Sequence, residues 1–241
     1  AQGRRGEAAV ARKLRSICRS KGFALLNNVY LPLYDTTTQI DHIVVGPFGI
    51  LVVETKADQG EIYGSPKDEN WIQVIGKARN KHYNPLKQNK THCDNLRHNL
   101  KKKNLYVVKI ESLVVYAAKN VQLYTTGNAP VVTMKQLKKF FRQPLFRENN
   151  KVNVDKVVDT INEIRVKDLC QRAMVHRTTF YAHFNDKQEL LRYLLLGVER
   201  QCVETCLPKD WSGEARDYFL TAARNVLDFF QSKRAFYRSC L

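Results

Sequence analysis

The stretch Gln39-Ile40-Asp41-His42-Ile43-Val44-Val45-Gly46-Pro47-Phe48-Gly49-Ile50-Leu51-Val52-Val53-Glu54-Thr55-Lys56 places two apolar runs around a Gly/Pro turn. Such a pattern predicts a β-hairpin. If it is symmetric about Pro47 and Phe48, residues whose numbers sum to 95 are opposed, and Asp41 faces Glu54. Opposed side chains have Cβ atoms about 4.5 to 5.5 Å apart, close enough for two carboxylates to share one divalent cation. Lys56, two residues beyond Glu54, points to the same side. A bulge at Gly49 would shift this pairing by one residue, and Pro47 suits an ordinary type I or II turn better than a primed one.

The residue types fit phosphodiester hydrolysis. That reaction needs charge neutralised on the phosphate and a water made more acidic, and hard oxygen ligands holding Mg²⁺ supply both. A lysine beside the ion can orient the water or stabilise developing charge. As a purely structural ion pair, two acids and a lysine inside apolar runs would be costly to keep.

Outward from the hairpin, residues 6–21 predict an amphipathic helix, with Ala9, Val10, Leu14, Ile17 and Cys18 at about 3.6 spacing and Gly22 at its end. Strands are predicted at 24–33, 38–45 and 49–55, then at 106–110, 112–117 and 121–124. Asn84-Pro85 opens a helix reaching about residue 100. Thr133-x-x-Gln136 reads as a capping box opening a helix over 134–141, and Asn153 caps another through residue 161. Beyond residue 163 every segment has helical periodicity. The expected organisation is therefore an α/β domain over 1–163, with a mixed sheet flanked by helices, and a small all-α domain over 164–241.

The formal charge is +17, and residues 1–163 hold 27 basic against 14 acidic residues, so most of the excess lies in the first part. An excess of that size attracts a polyanion through counterion release and makes nucleic acid the leading partner. Arg12-Lys13-x-Arg15, Lys77-x-Arg79-x-Lys81 and Lys101-Lys102-Lys103 are the candidate backbone-contacting runs. Trp71 reads as packing. No apolar run reaches the about 18 to 20 residues that cross a bilayer, and the N-terminal residues do not resemble a secretory signal, so cytoplasmic residence with no membrane partner is expected. The six cysteines form no CxxC pair, which favours reduced core thiols over a zinc site.

Several motifs in the right order resemble the NERD (nuclease-related) domain, assigned to the PD-(D/E)xK restriction-endonuclease-like fold. They are Gly6-Glu7, Asn27-Asn28-Val29-Tyr30-Leu31-Pro32, the hairpin with Glu54-Thr55-Lys56, Gly60-Glu61-Ile62-Tyr63-Gly64, Trp71 and Asn84-Pro85-Leu86-Lys87-Gln88. The resemblance runs over about residues 3–163. It implies Asp41, Glu54 and Thr55 as the metal site for Mg²⁺, with Mn²⁺ as a substitute, and Lys56 as the catalytic lysine. Glu7 on the first helix would be a further acidic member, and Gln88 a helix-borne polar residue approaching the site, with His92 one turn on.

Arg165-Val166-Lys167-Asp168-Leu169-Cys170-Gln171-Arg172-Ala173-Met174-Val175-His176-Arg177-Thr178-Thr179-Phe180-Tyr181-Ala182-His183-Phe184-Asn185-Asp186-Lys187 predicts two short helices joined by a three-residue turn, packed through Leu169, Ala173, Val175, Phe180 and Phe184. Asp186-x-x-Glu189 would cap the helix that follows. This segment is similar to the helix-turn-helix of TetR-family regulators, with the Thr-Phe-Tyr-x-His-Phe-x-x-Lys signature at 179–187. That resemblance implies DNA contacts from Arg177, Thr178, Thr179, Tyr181 and His183, and a phosphate contact from Lys187. Only about 50 residues follow the motif, fewer than an effector pocket and dimer face normally need. The chain starts without Met and stops inside a helical pattern, which suggests a piece or a fusion of a longer protein.

Two readings follow. One is a Mg²⁺-dependent nuclease, with double-stranded DNA the expected partner and the tail adding DNA affinity; the other is a TetR-like regulator that binds DNA without cutting it. Oligomeric state is open.

Overall fold

The computed structural model describes residues 2–33, 36–106, 109–185, 187–208 and 211–234. The periodic apolar residues at the start form helix α1, Gln2–Lys21, which buries Val10, Leu14, Ile17 and Cys18. Strands β1 (Ala24–Leu33), β2 (Thr36–Gly46) and β3 (Gly49–Lys56) follow, then β4 (Gly60–Gly64), β5 (Asn70–Ile75) and β6 (Ala78–Tyr83). Helix α2, Pro85–Lys101, leads to β7 (Ile110–Tyr116), β8 (Val121–Thr125) and β9 (Val131–Thr133). A short α3 (Leu137–Phe140), a 3-10 turn at Pro144–Arg147 and α4 (Val154–Arg172) follow. The chain continues as α5 (Arg177–His183), α6 (Lys187–Cys206) and α7 (Ala215–Ser232).

The strands form two sheets, ordered β1-β2-β3-β7-β9 and β6-β5-β4-β8. In the first, β1, β2 and β3 pair antiparallel, whereas β7 joins β3 and β9 joins β7 in parallel. One face packs Val44, Leu51 and Val53 against α1, Leu137 and the phenylalanines Phe141 and Phe146. The other packs Ile43, Val45, Ile50 and Val52 against Cys93 and Leu96 of α2 and Val157 and Ile161 of α4. This is a mixed α/β fold with two sheets flanked by helices, and the strands buried on both faces explain their continuous apolar runs.

The hairpin has the predicted register: His42 pairs with Val53 and Gly46 with Gly49 around a two-residue Pro47-Phe48 turn. There is no bulge at Gly49. That residue has φ +131°, and a Cβ there would lie 2.4 Å from the Lys109 carbonyl oxygen. Glycine is therefore required by both conformation and contact.

Three expectations need correction. The strand pair predicted at 106–110 and 112–117 is one strand, Ile110–Tyr116, and residues 107 and 108 lie outside the described ones. The capping box at Thr133 and Gln136 does not open a helix over 134–141. Met134 N–H bonds to the Tyr116 carbonyl and Gln136 Oε1 accepts from Thr133, so these residues are held as a turn and α3 starts at Leu137. The second sheet had no counterpart among the predicted strands apart from β8. Strand β6, Ala-Arg-Asn-Lys-His-Tyr, is exposed throughout and owes its conformation to pairing with β5 instead of to an apolar pattern. The boundary expected at 163 lies within α4, whose Ile161 and Ile164 both belong to the core beneath α2. The compact units are 1–169 and 170–241.

In the second unit, α6 and α7 are linked by Asn225, whose side chain donates to the Cys206 carbonyl at 3.2 Å. Phe180 is buried as expected and Phe184 half-buried, but Ala173 and Val175 are exposed. Both belong to the turn, in which Met174 adopts φ 53° and Val175 N–H returns to the Cys170 carbonyl. Among the described residues no helix is long and apolar enough to cross a membrane.

Candidate metal and nucleic-acid site

The site forms where β2 and β3 leave the hairpin ladder. The next place in the His42–Val53 register puts Asp41 beside Glu54, and both share strand parity with the residues packed against α2. The ladder ends here because the Thr55 N–H donates to Asp41 Oδ2 at 2.8 Å. On the other side of Asp41 the β1–β2 register skips Asn28, which sits at φ 50°.

Helix α2 supplies the opposite wall, and its placement starts at Asn84. This buried N-cap accepts from Leu86 N–H and donates to the carbonyls of Ser65, Pro66 and Asp68, tying the helix start to the β4–β5 loop. One turn later Asn89 donates to the carbonyls of Val52 and Leu113 and to Ser112 Oγ, fixing the helix to β3 and β7. Gln88 and His92 are then held over Glu54.

Glu54 is buried, and its Oε1 accepts from Lys56 Nζ at 2.9 Å and from Gln88 Nε2 at 2.8 Å. Gln88 Oε1 in turn accepts from Lys56 Nζ at 2.8 Å, closing a three-membered ring of hydrogen bonds. Glu54 Oε2 lies 3.5 Å from His92 Nε2, an ion-pair distance too long for a good hydrogen bond, and among the described residues that buried nitrogen has no hydrogen-bond partner. His92 Nδ1 is 3.1 Å from Thr38 Oγ1. Behind the strands, His42 bridges Asn27 Oδ1 at 2.8 Å and Thr55 Oγ1 at 3.1 Å.

Burial pushes the Asp41 carboxyl up to about 7, helped by the Glu54 charge and more weakly by Glu7, against the Thr55 hydrogen bond and the Lys56 charge. Burial also acts to raise Glu54, but the His92 imidazole and the Lys56 ammonium outweigh it and leave that carboxyl below its ordinary value. His42 is pushed down to about 4 by burial, partly offset by Glu54. Glu7 reaches the site from α1, whose first turn approaches closely at Gly6: a Cβ there would be 3.2 Å from Ala117 Cβ and 3.3 Å from Ala57 Cβ.

Asp41, Glu54, Lys56 and Gln88 are thus gathered at one strand end, with Thr55 bonded to Asp41 and Glu7 close enough to act on it. Among the described residues no group of three or more His, Cys, Asp or Glu stands where it could hold a metal ion. The donor set is two hard carboxylates, and Mg²⁺ is commonly held by one or two carboxylates plus waters. Two carboxylates set against each other, with the Asp41 carboxyl pushed up partly by the Glu54 charge, fit the arrival of a cation and its water.

His92 is firmly part of the cluster, although its sequence position alone gave it little weight. The Asn27–His42–Thr55 chain has no counterpart in the sequence analysis. Its only signal there is polar residues interrupting apolar strands. Of the basic runs, Lys77, Arg79 and Lys81 are exposed, whereas Lys13 donates to the Met134 carbonyl and Lys103 pairs with Glu163. Trp71 is buried and donates to the Ser65 carbonyl, a packing role. On α5, Thr178, Thr179, Tyr181 and His183 are exposed; the side chains of Arg177 and Lys187, and residue Asp186, lie outside the described residues.

The fold and this cluster define a mixed α/β protein consistent with a nuclease-like core. Residues 2–117 match the family of the nuclease-related domain, NERD, and that stretch contains every residue of the cluster. An uncharacterized protein of Bacillus anthracis is 41% identical over 91 residues, which is 38% of this chain and 43% of that protein. The chain thus matches less than half the length of that relative. No solved structure matches the chain.

Proposed function

We propose that the chain hydrolyses phosphodiester bonds in nucleic acid, DNA in the first instance, with Asp41, Glu54 and the Thr55 carbonyl holding Mg²⁺ or Mn²⁺. The observation that carries this reading is the ring of Glu54, Lys56 and Gln88 beside Asp41. When bound, the ion supplies charge neutralisation at the scissile phosphate and a more acidic water. Lys56 has three N–H donors, of which Glu54 and Gln88 engage two. The third serves the phosphate oxygen on which charge builds, and the ring keeps it aimed there. Gln88 positions Lys56 and Glu54. Glu7 adds negative charge to the cation site from α1.

The exposed Thr178, Thr179, Tyr181 and His183 of α5 support a supplementary role in DNA binding for the second unit, in which Arg177 and Lys187 would join them. In the competing reading, a TetR-like regulator, the first unit binds DNA without cutting it. Incubation of supercoiled plasmid with Mg²⁺ separates them. The nuclease reading expects nicking by the parent and none by Lys56→Ala; equal nicking by both, or none by either, removes it.

A further inference from the structure

A cleft of about 280 Å³ opens beside the catalytic cluster, with Lys56 and Gln88 forming one end of it. Its size lies just below the about 300 Å³ at which small-ligand pockets begin, so it takes one nucleoside-sized group and not two. Tyr83, 52% exposed, gives it a flat aromatic wall, with the edge of the buried Trp71 also lining it. Gln73 and His82 also line it, but they are already engaged with each other at 3.1 Å.

Two other groups on the wall, Tyr116 and Asp58, lie near enough for the Asp58 charge to act on the Tyr116 hydroxyl. Tyr116 is 3% exposed, yet its hydroxyl makes no hydrogen bond among the described residues. Asp58 has no hydrogen bond or ion pair among them either. A hydroxyl that faces the cleft with no protein partner is free to bond a ligand atom. A carboxylate at the same wall repels phosphate and accepts hydrogen bonds from ring N–H and amino groups. An aromatic face with an acceptor and a hydroxyl suits a nucleobase, and the phosphate would lie at the Lys56 end.

We propose that this cleft receives the base of a single unstacked nucleotide adjoining the scissile phosphate, so that the strand acted on is locally unpaired. The inference rests on the nuclease reading and specifies its substrate. A base held in a duplex stack cannot enter; a single strand or a frayed end presents one without the cost of unpairing.

The test measures binding of the full chain in EDTA, where no cleavage can occur, so its outcome is independent of catalysis. The probes are a short single-stranded oligonucleotide carrying 2-aminopurine and the blunt duplex of the same sequence. The single strand should bind about tenfold more tightly, with 2-aminopurine fluorescence changing on binding. Tyr116→Phe and Asp58→Asn should each weaken single-strand binding by about two- to tenfold, the effect of one hydrogen bond, and leave duplex binding unchanged. Tyr83→Ala, at an exposed position, serves if a buried variant fails to fold. Equal affinity for the two probes, or parental single-strand binding by folded variants, overturns the proposal.

Discussion

Lys56 and Gln88 are bonded to one another and to the same carboxylate oxygen: Lys56 Nζ donates to Gln88 Oε1 at 2.8 Å, and both donate to Glu54 Oε1. A glutamine can close this ring because its amide carries a donor and an acceptor, which neither Glu nor Lys can match. Lys56 is only a quarter exposed, so its ammonium is held by partners more than by solvent.

Gln88→Ala should therefore leave the fold intact and slow plasmid nicking by about ten- to a hundredfold, the usual effect of removing a group that orients a metal-site residue. Gln88→Glu, which retains the acceptor for Lys56 but sets a second carboxylate against Glu54, should be no better. Rates measured alongside circular dichroism distinguish misplacement from unfolding, and a parental rate in Gln88→Ala would remove the positioning role.

Asn84 joins the loop at Ser65–Asp68 to the start of α2 through four hydrogen bonds. Replacing it with alanine removes the cap and leaves buried carbonyls unpaired, for a loss of about 2 to 3 kcal/mol in urea unfolding. Because α2 carries Gln88, nicking should fall as well. A stability change below about 0.5 kcal/mol would contradict the bonding described.

Gly49→Ala should cost about 2 to 4 kcal/mol, since φ +131° is strained for alanine and its Cβ would meet the Lys109 carbonyl at 2.4 Å. Thermal unfolding checks this, and an unchanged midpoint would mean that the hairpin turns differently.

Cys18 and Cys93 are buried and their thiols are pushed up to about 12, chiefly by burial. At pH 8 almost no thiolate is present at either position, so a disulfide reagent should react with half-buried Cys202 well before them. Rapid labelling of Cys93 in the native protein would contradict the packing of α2 on the sheet.

Combined alanine substitution of Thr178, Thr179, Tyr181 and His183 tests the second unit. If α5 contacts DNA, affinity for duplex should fall by at least about tenfold while Mg²⁺-dependent nicking persists at high protein concentration. An unchanged affinity and salt slope would remove the role.

The central hairpin was readable because its turn is symmetric. Gly46 and Gly49 fix the pairing, and every side chain out to Asp41 and Glu54 follows by parity. Lys56 came with it. Other parts depend on long-range partners that no local pattern encodes. Strand β6 has no apolar alternation, and β9 is three residues long and ordered by parallel pairing with β7. His42 reaches Asn27 across the β1–β2 ladder, fifteen positions away in the chain, so neither residue alone predicts the pair. Composition changes at about 163, whereas α4 keeps burying Ile164 in the first core.

The account depends most on one divalent cation shared by Asp41 and Glu54. Calorimetric titration with Mn²⁺ measures this directly on the parent, Asp41→Asn and Glu54→Gln proteins, with folding checked for each. The account predicts one ion bound per chain in the parent and none in either folded variant at the same concentrations. Undiminished Mn²⁺ binding by both variants, or none by the parent, would contradict it.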